Sequence, residues 1–169
     1  MWVTQTYLGT VEPDAEVFVY YFYLNYVDDQ KRFTAQLQHE LETLGEIFGA
    51  KVSLLMPNPR YAGSIEAEVR ENRPLWEALH SKLPGLFLST SPLSQIKAYD
   101  SSCFFVPLSS GVPAAVAQIK KIADEAITWG YQEQNQPKRP SLAERFFDAL
   151  ELKLGVGGFK VDLRRLFRD

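Results

Sequence analysis

The sequence predicts a three-layer α/β domain of element order β-α-β-α-β-β-α, followed by a helix and a β-hairpin. Three observations predict it. Short apolar runs rich in β-branched and aromatic residues alternate with longer stretches whose apolar residues recur at helical spacing. The third and fourth of those runs are too close in sequence for a long crossover helix, so they are expected to pair antiparallel. Near the end of the chain, a Gly-Gly pair is flanked by alternating apolar residues, the pattern of a two-residue hairpin.

Glu16 to Leu24 reads Glu-Val-Phe-Val-Tyr-Tyr-Phe-Tyr-Leu. The run is too short for a buried helix and is expected as a strand covered on both faces. Pro13 and Asp14 supply the turn before it, and Asp28 or Asp29 is expected to cap the helix after it. Phe33, Leu37, Leu41, Leu44 and Phe48 mark that helix as amphipathic, with Gln36, His39, Glu40 and Glu42 on its other faces and Gly49 at its C-terminal cap. Val52 to Met56 is a second buried strand, ended by Pro57-Asn58-Pro59. After a loop over Arg60 to Gly63, Ser64 is expected to cap a helix through Ile65 and Val69. Pro74 interrupts that helix or opens a new one. Leu75, Trp76, Leu79 and Leu83 carry the stripe on until Pro84-Gly85 stops it.

Leu86 to Ser89 is the third strand, Ser91-Pro92 turns the chain, and Ser102 to Leu108 is the fourth. Pro113 opens a helix whose apolar side carries Val116, Ile119, Ile122, Ala123 and Ile127, and Gly130 is expected to end it. The main domain thus spans 14–131, and the polar stretch 132–140 reads as a linker. Over 141–169, Ser141 caps a short helix with Leu142, Phe146 and Leu150. A hairpin then turns at Gly157-Gly158. Its register sets Leu154 opposite Val161, Leu152 opposite Leu163, Lys153 opposite Asp162 and Glu151 opposite Arg164. Apolar residues meet on one face and opposite charges on the other. A lone hairpin is marginal in water, so its apolar face is expected to lie on the main domain, on a partner or on a second copy.

Composition bounds the function. The 169 residues are 46% hydrophobic and 13% aromatic, enough for a core. A net charge of -3 does not suit a dedicated nucleic-acid binder, and no nucleic-acid partner is expected. The single cysteine, Cys103, allows no intrachain disulfide and no cysteine-based zinc site. Met1 to Thr10 lacks the pattern of a signal peptide, and no stretch approaches the ~20 apolar residues of a spanning helix. A cytoplasmic location without membrane contact is the expectation.

The element order, with Pro84 placed before Gly85-Leu86-Phe87-Leu88, resembles the thioredoxin-like fold over about residues 14–130. In that family a cis proline precedes the third strand and a Cys-x-x-Cys opens the first helix. Here the corresponding stretch is Asn25-Tyr26-Val27-Asp28-Asp29-Gln30, which has no thiol to attack or resolve a disulfide. The resemblance therefore implies a redox-inactive member serving as a binding, adaptor or sensor module. Val17-Phe18-Val19 before an acidic turn and a long helix, with Leu86 to Ser89 as a later strand, also looks like a TIR domain. The spacing from Ser89 to Phe104 leaves little room for its next β-α unit, and no catalytic glutamate can be placed.

Candidate sites emerge from residue type and position. Asn25, Tyr26, Asp28 and Asp29 lie at the end of the first strand, where open α/β sheets bind ligands. Paired carboxylates there could hold a divalent metal, but no third metal ligand is evident, and a cap with favourable charge at the helix N-terminus accounts for them. Arg60, Arg70 and Arg73, with Tyr61 and Trp76 near in sequence, suit a phosphate and a stacked base, although Glu66, Glu68 and Glu71 interleave with them as on a solvated face. Ser89, Thr90, Ser91 and Ser94 form a hydroxyl-rich turn without a Gly-x-Ser-x-Gly elbow. Cys103, beside Phe104 and Phe105, fits an inert buried thiol. In the tail, Phe146, Leu150, Leu154, Phe159, Val161, Leu163, Arg164, Arg165 and Phe167 fit a partner-docking surface, since aromatic and arginine side chains are enriched at interfaces.

The sequence thus predicts no complete catalytic motif and names no cofactor. It points to a binding or adaptor module that joins a protein partner or another copy through its C-terminal segment. The alternative is a small nucleotide-binding or nucleotide-processing protein using Asp28, Asp29 and an arginine. Nothing physical sets a toxin, immunity or phage-defence component apart from the first reading.

Overall fold

A computed structural model of the chain describes residues 2–4, 15–24, 26–47, 52–56, 69–70, 73–91, 103–108, 111–133 and 159–160. It is a mixed α/β fold built on one mixed sheet. The strands are β1 (Trp2–Thr4), β2 (Val17–Phe22), β3 (Val52–Leu55), β4 (Gly85–Ser89), β5 (Cys103–Pro107) and β6 (Phe159–Lys160). The helices are α1 (Asp28–Ile47), α2 (Arg73–Leu79), which tightens into a 3₁₀ turn over His80–Lys82, and α3 (Val112–Glu133). Across the sheet the strands run β1-β3-β2-β4-β5-β6. β3 is parallel to both β1 and β2, whereas β4 is antiparallel to β2 and to β5, and β5 to β6.

The four longer strands are the ones expected from the apolar runs. Their burial follows the two-residue period of a strand with both faces covered. Val17, Val19, Tyr21 and Tyr23 face one core, with Leu37, Leu41 and Leu44 of α1 and Ala115, Ile119 and Ile122 of α3. Phe18, Tyr20 and Phe22 face the other, with Leu75 and Leu79 of α2, Phe87 and Phe105. Two helices therefore cover one face of the sheet and α2 covers the other. Tyr20, Phe22 and Phe87 stack with ring centroids 5.9–6.2 Å apart, the offset spacing that aromatic rings prefer.

Gly85 is where backbone and ring come closest. A Cβ there would run into the Phe105 ring and stand 2.8 Å from the Val106 carbonyl oxygen. The β4–β5 ladder continues one step beyond the two strands, because the Leu108 N–H donates to the Pro84 carbonyl at 3.0 Å. The Leu83–Pro84 peptide bond is cis.

Four expectations need correction or addition. The N-cap of α1 is Val27, whose carbonyl accepts from the Lys31 N–H at 3.0 Å; Asp28 and Asp29 lie inside the first turn, where their charge still favours the helix. Helix α3 runs through Gly130 to Glu133 and takes the first two residues assigned to the linker. One glycine costs a helix about 1 kcal/mol relative to alanine, which alone does not end it. Strand β1 was not expected; Trp2, Val3 and Thr4 pair with Ser53, Leu54 and Leu55. Phe159 and Lys160, expected in one arm of a hairpin, form a strand that pairs with Phe105 and Phe104 of β5. The helix predicted around Phe146 and Leu150, the hairpin turn and the Leu154–Val161 pairing lie outside the described residues. Among the described residues, no helix is long and apolar enough to cross a membrane.

Candidate functional site

The site grows from the point where β2 ends and α1 begins. Beyond the Phe22–Gly85 pair, the antiparallel register would next set Tyr23 opposite Pro84 and Leu24 opposite Leu83. Leu24 and Leu83 are instead joined through a side chain. The Leu24 N–H donates to Gln30 Oε1 at 2.6 Å, and Gln30 Nε2 donates to the Leu83 carbonyl at 3.2 Å. The residue that makes this bridge stands in the first turn of α1, two positions after its first residue.

The backbone of Gln30 is held as well. Thr34 Oγ1 donates to the Gln30 carbonyl at 2.7 Å. That uses the only hydroxyl proton of Thr34, so the Tyr21 hydroxyl, 2.8 Å away, is the donor to Thr34. Burial holds the Tyr21 phenol well above its ordinary range, against a smaller lowering by the Thr34 hydrogen bond. It stays neutral and keeps the proton the relay needs. The chain of contacts Tyr21–Thr34–Gln30–Leu83 ties a core strand to the segment before β4.

Above this relay lies a cleft of about 310 Å³, lined by Asp29, Gln30, Arg32, Phe33, Gln36, Pro84 and Val112. Phe33, Pro84 and Val112 give the lining its apolar part, Gln30 and Gln36 its amides, and Asp29 and Arg32 one opposed pair of charges. Arg32 sits 3.6 Å from Asp29, and Lys31 sits 3.6 Å from Asp28. These exposed pairs balance each other's charge and contribute little to stability. Tyr26, 62% exposed, stands on the loop leading into α1.

The residues singled out from the sequence are divided by the sheet. Asp28 and Asp29 belong to the α1 layer, and their neighbours are cations. Among the described residues, no three His, Cys, Asp or Glu side chains gather as a metal site requires. Arg70 and Arg73 belong to the α2 layer on the opposite face. The guanidinium of Arg70 lies 4.8 Å from the centroid of the Trp76 ring, and Trp76 stacks on His80 at 5.5 Å. Arg73 pairs with Glu77 at 2.8 Å. Arg70 thus lies over Trp76, and among the described residues neither Arg70 nor Arg73 converges with Asp28 and Asp29. Asn25, Arg60, Tyr61 and Ser94 lie outside the described residues. So do Phe146, Leu150, Leu154, Val161, Leu163, Arg164, Arg165 and Phe167.

Ser89 is buried in β4 and its hydroxyl accepts from the Ser91 N–H at 3.1 Å, which makes it a turn residue. Cys103 is buried, with its sulfur 3.7 Å from Ser89 Oγ and remote from the start of α1. Sequence reasoning passed over Gln30, Thr34 and Tyr21 as parts of a site. Only the placement of Pro84 ahead of a strand drew attention to the neighbouring segment.

Comparison with known proteins leaves the physical argument to stand alone: no protein-family model, curated protein or solved structure matches this chain.

Proposed function

We propose that this chain is a non-catalytic binding or adaptor module: a redox-inactive thioredoxin-like domain with a C-terminal segment, 141–169, that docks on a protein partner or a second copy. Support for the fold reading comes from the central strand order β3-β2-β4-β5, with two helices on one face and one on the other, and from Pro84 immediately ahead of β4. The observation that carries the functional reading is the cleft at the start of α1. Where a dithiol would stand in a redox enzyme, this chain has Gln30, fixed by hydrogen bonds at both ends of its carboxamide. An immobilised amide beside apolar side chains is suited to contact and not to electron transfer. The partner is a protein, no nucleic acid or membrane is involved, and the setting is the cytoplasm.

The test compares the full chain with one ending after Glu133, by light scattering, partner capture and thermal unfolding. The reading expects the shorter chain to lose its partner or its oligomeric state. Unchanged mass, partner and melting temperature would refute the docking role.

One observation favours a second reading. The Arg70–Trp76–His80 column sets a cation over a half-buried indole that stacks on an imidazole, an arrangement that suits a nucleotide. A thermal-shift panel of nucleotides with and without magnesium separates the two readings, since a ligand well above its dissociation constant raises the melting point. No shift across the panel removes the nucleotide reading.

A further inference from the structure

In an antiparallel ladder, a peptide group offers one N–H and one carbonyl to its neighbours. The carboxamide of Gln30 offers the same pair. It accepts from the Leu24 N–H at 2.6 Å and donates to the Leu83 carbonyl at 3.2 Å. Leu24 and Leu83 are the two residues that the β2–β4 register would set opposite each other two steps beyond Phe22–Gly85. Gln30 therefore fills the gap between two diverging strand ends as one peptide unit of an inserted strand would. On the other edge of the same segment, the ladder needs no such insert, since Pro84 pairs directly with Leu108.

We propose that the ends of β2 and β4 form a slot for a single carboxamide or peptide group, filled in the resting chain by Gln30, and that this insert holds the strand ends apart beside Pro84. The slot is a binding site in its own right. Its ligand class is the amide, because it presents one donor and one acceptor. A carboxylate can satisfy Leu24 but repels the Leu83 carbonyl, and an alcohol is too short to span both. The Thr34 bond to the Gln30 carbonyl fixes the backbone from which the side chain reaches, so removing the side chain vacates the slot without removing its walls.

This inference concerns the cleft of the binding-module reading but stands on the chain's own stability. Its test needs no partner and reads only the stability of the chain, so its failure is distinguishable from a failure of partner docking. The experiment tracks thermal unfolding of wild-type full chain and Gln30→Ala with increasing propionamide, with propionate as control. Vacating the slot leaves a part-buried N–H and carbonyl unpaired. At a propionamide concentration near its dissociation constant, the melting temperature of Gln30→Ala should rise by about 1–2 °C relative to the wild type. Propionate should give no such difference. An equal response of both proteins to propionamide, or an equal effect of propionate, overturns the proposal.

A second variant keeps the question open to decision if Gln30→Ala does not fold. Gln30→Glu preserves volume, but its carboxylate can only accept. Protonation restores a donor toward Leu83, so on acidification from about pH 7 to about pH 5 the variant should gain stability relative to the wild type. Parallel pH profiles for the two proteins overturn the amide slot as directly as the absence of rescue.

Discussion

Tyr21 and Thr34 meet hydroxyl to hydroxyl, 2.8 Å apart, at the boundary between strand β2 and helix α1. Thr34 is committed as donor to the Gln30 carbonyl, which makes Tyr21 the donor to Thr34. The two hydroxyls are therefore not equivalent. Losing the Tyr21 hydroxyl removes a donor that Thr34 can do without. Losing the Thr34 hydroxyl strands a buried phenol. Thr34→Val is expected to destabilise by about 1–3 kcal/mol and Tyr21→Phe by about 1 kcal/mol or less. The double variant should lie closer to Tyr21→Phe than to the sum of the two. Urea unfolding of the four proteins checks the order.

The same phenol sets a response to alkali. Burial raises the Tyr21 pKa above its ordinary value of 10.0. The folded state therefore keeps a proton that the unfolded chain releases. The stability from keeping Tyr21 neutral is complete below pH 10 and is lost as pH rises from there toward the raised folded value. Unfolding free energy should fall between about pH 9 and about pH 11, with Tyr21 contributing a slope approaching 1.4 kcal/mol per pH unit at the upper end. Tyr21→Phe should show a shallower fall. Identical profiles would mean that Tyr21 titrates alike in both states.

Gly85 is expected to refuse any side chain. The Cβ of alanine would meet the Phe105 ring and the Val106 carbonyl, both fixed within the β4–β5 ladder. Gly85→Ala should destabilise by about 1–3 kcal/mol, the range typical of overpacking a core. At Gly111 an added Cβ meets nothing within 4 Å, so Gly111→Ala should stay within about 1 kcal/mol of the wild type. Differential scanning calorimetry of both variants measures the contrast.

Cys103 should be silent toward thiol reagents in the folded chain. It is only 4% exposed, inside β5, next to Ser89 Oγ. A chromogenic disulfide reagent should label it at the rate of unfolding and fully in denaturant. Rapid labelling of the native chain would mean that β5 opens locally without global unfolding.

Strand β2 was legible because Val17 to Phe22 is apolar at every position and the run is too short for a buried helix. Helix α1 was legible from Leu37, Leu41 and Leu44, and the antiparallel β4–β5 pair from the short connection. Strand β1 was not. Three residues carry no period, and what makes them a strand is a parallel neighbour some fifty positions on, at Ser53 to Leu55. The centre of the site was hidden for the same reason. Gln30, a polar residue in the first turn of an amphipathic helix, looks like any solvent-facing side chain. Its acceptor on Leu83 is 53 residues away, and no local pattern announces a bond of that range. The acidic pair beside it drew notice as a charge cluster, although its partners are simply the cations one turn further along α1.

The ordering of the sheet has a consequence for how this protein behaves in concentrated solution. Among the described residues, the long inner strands are flanked by Trp2–Thr4 beside β3 and by Phe159–Lys160 beside β5. An unpaired strand edge is a template for another sheet to extend. Cutting away either flank would bare the open row of amides on β3 or on β5. Variants shortened at either end are therefore the ones in which precipitation should be watched for before any loss of binding is interpreted.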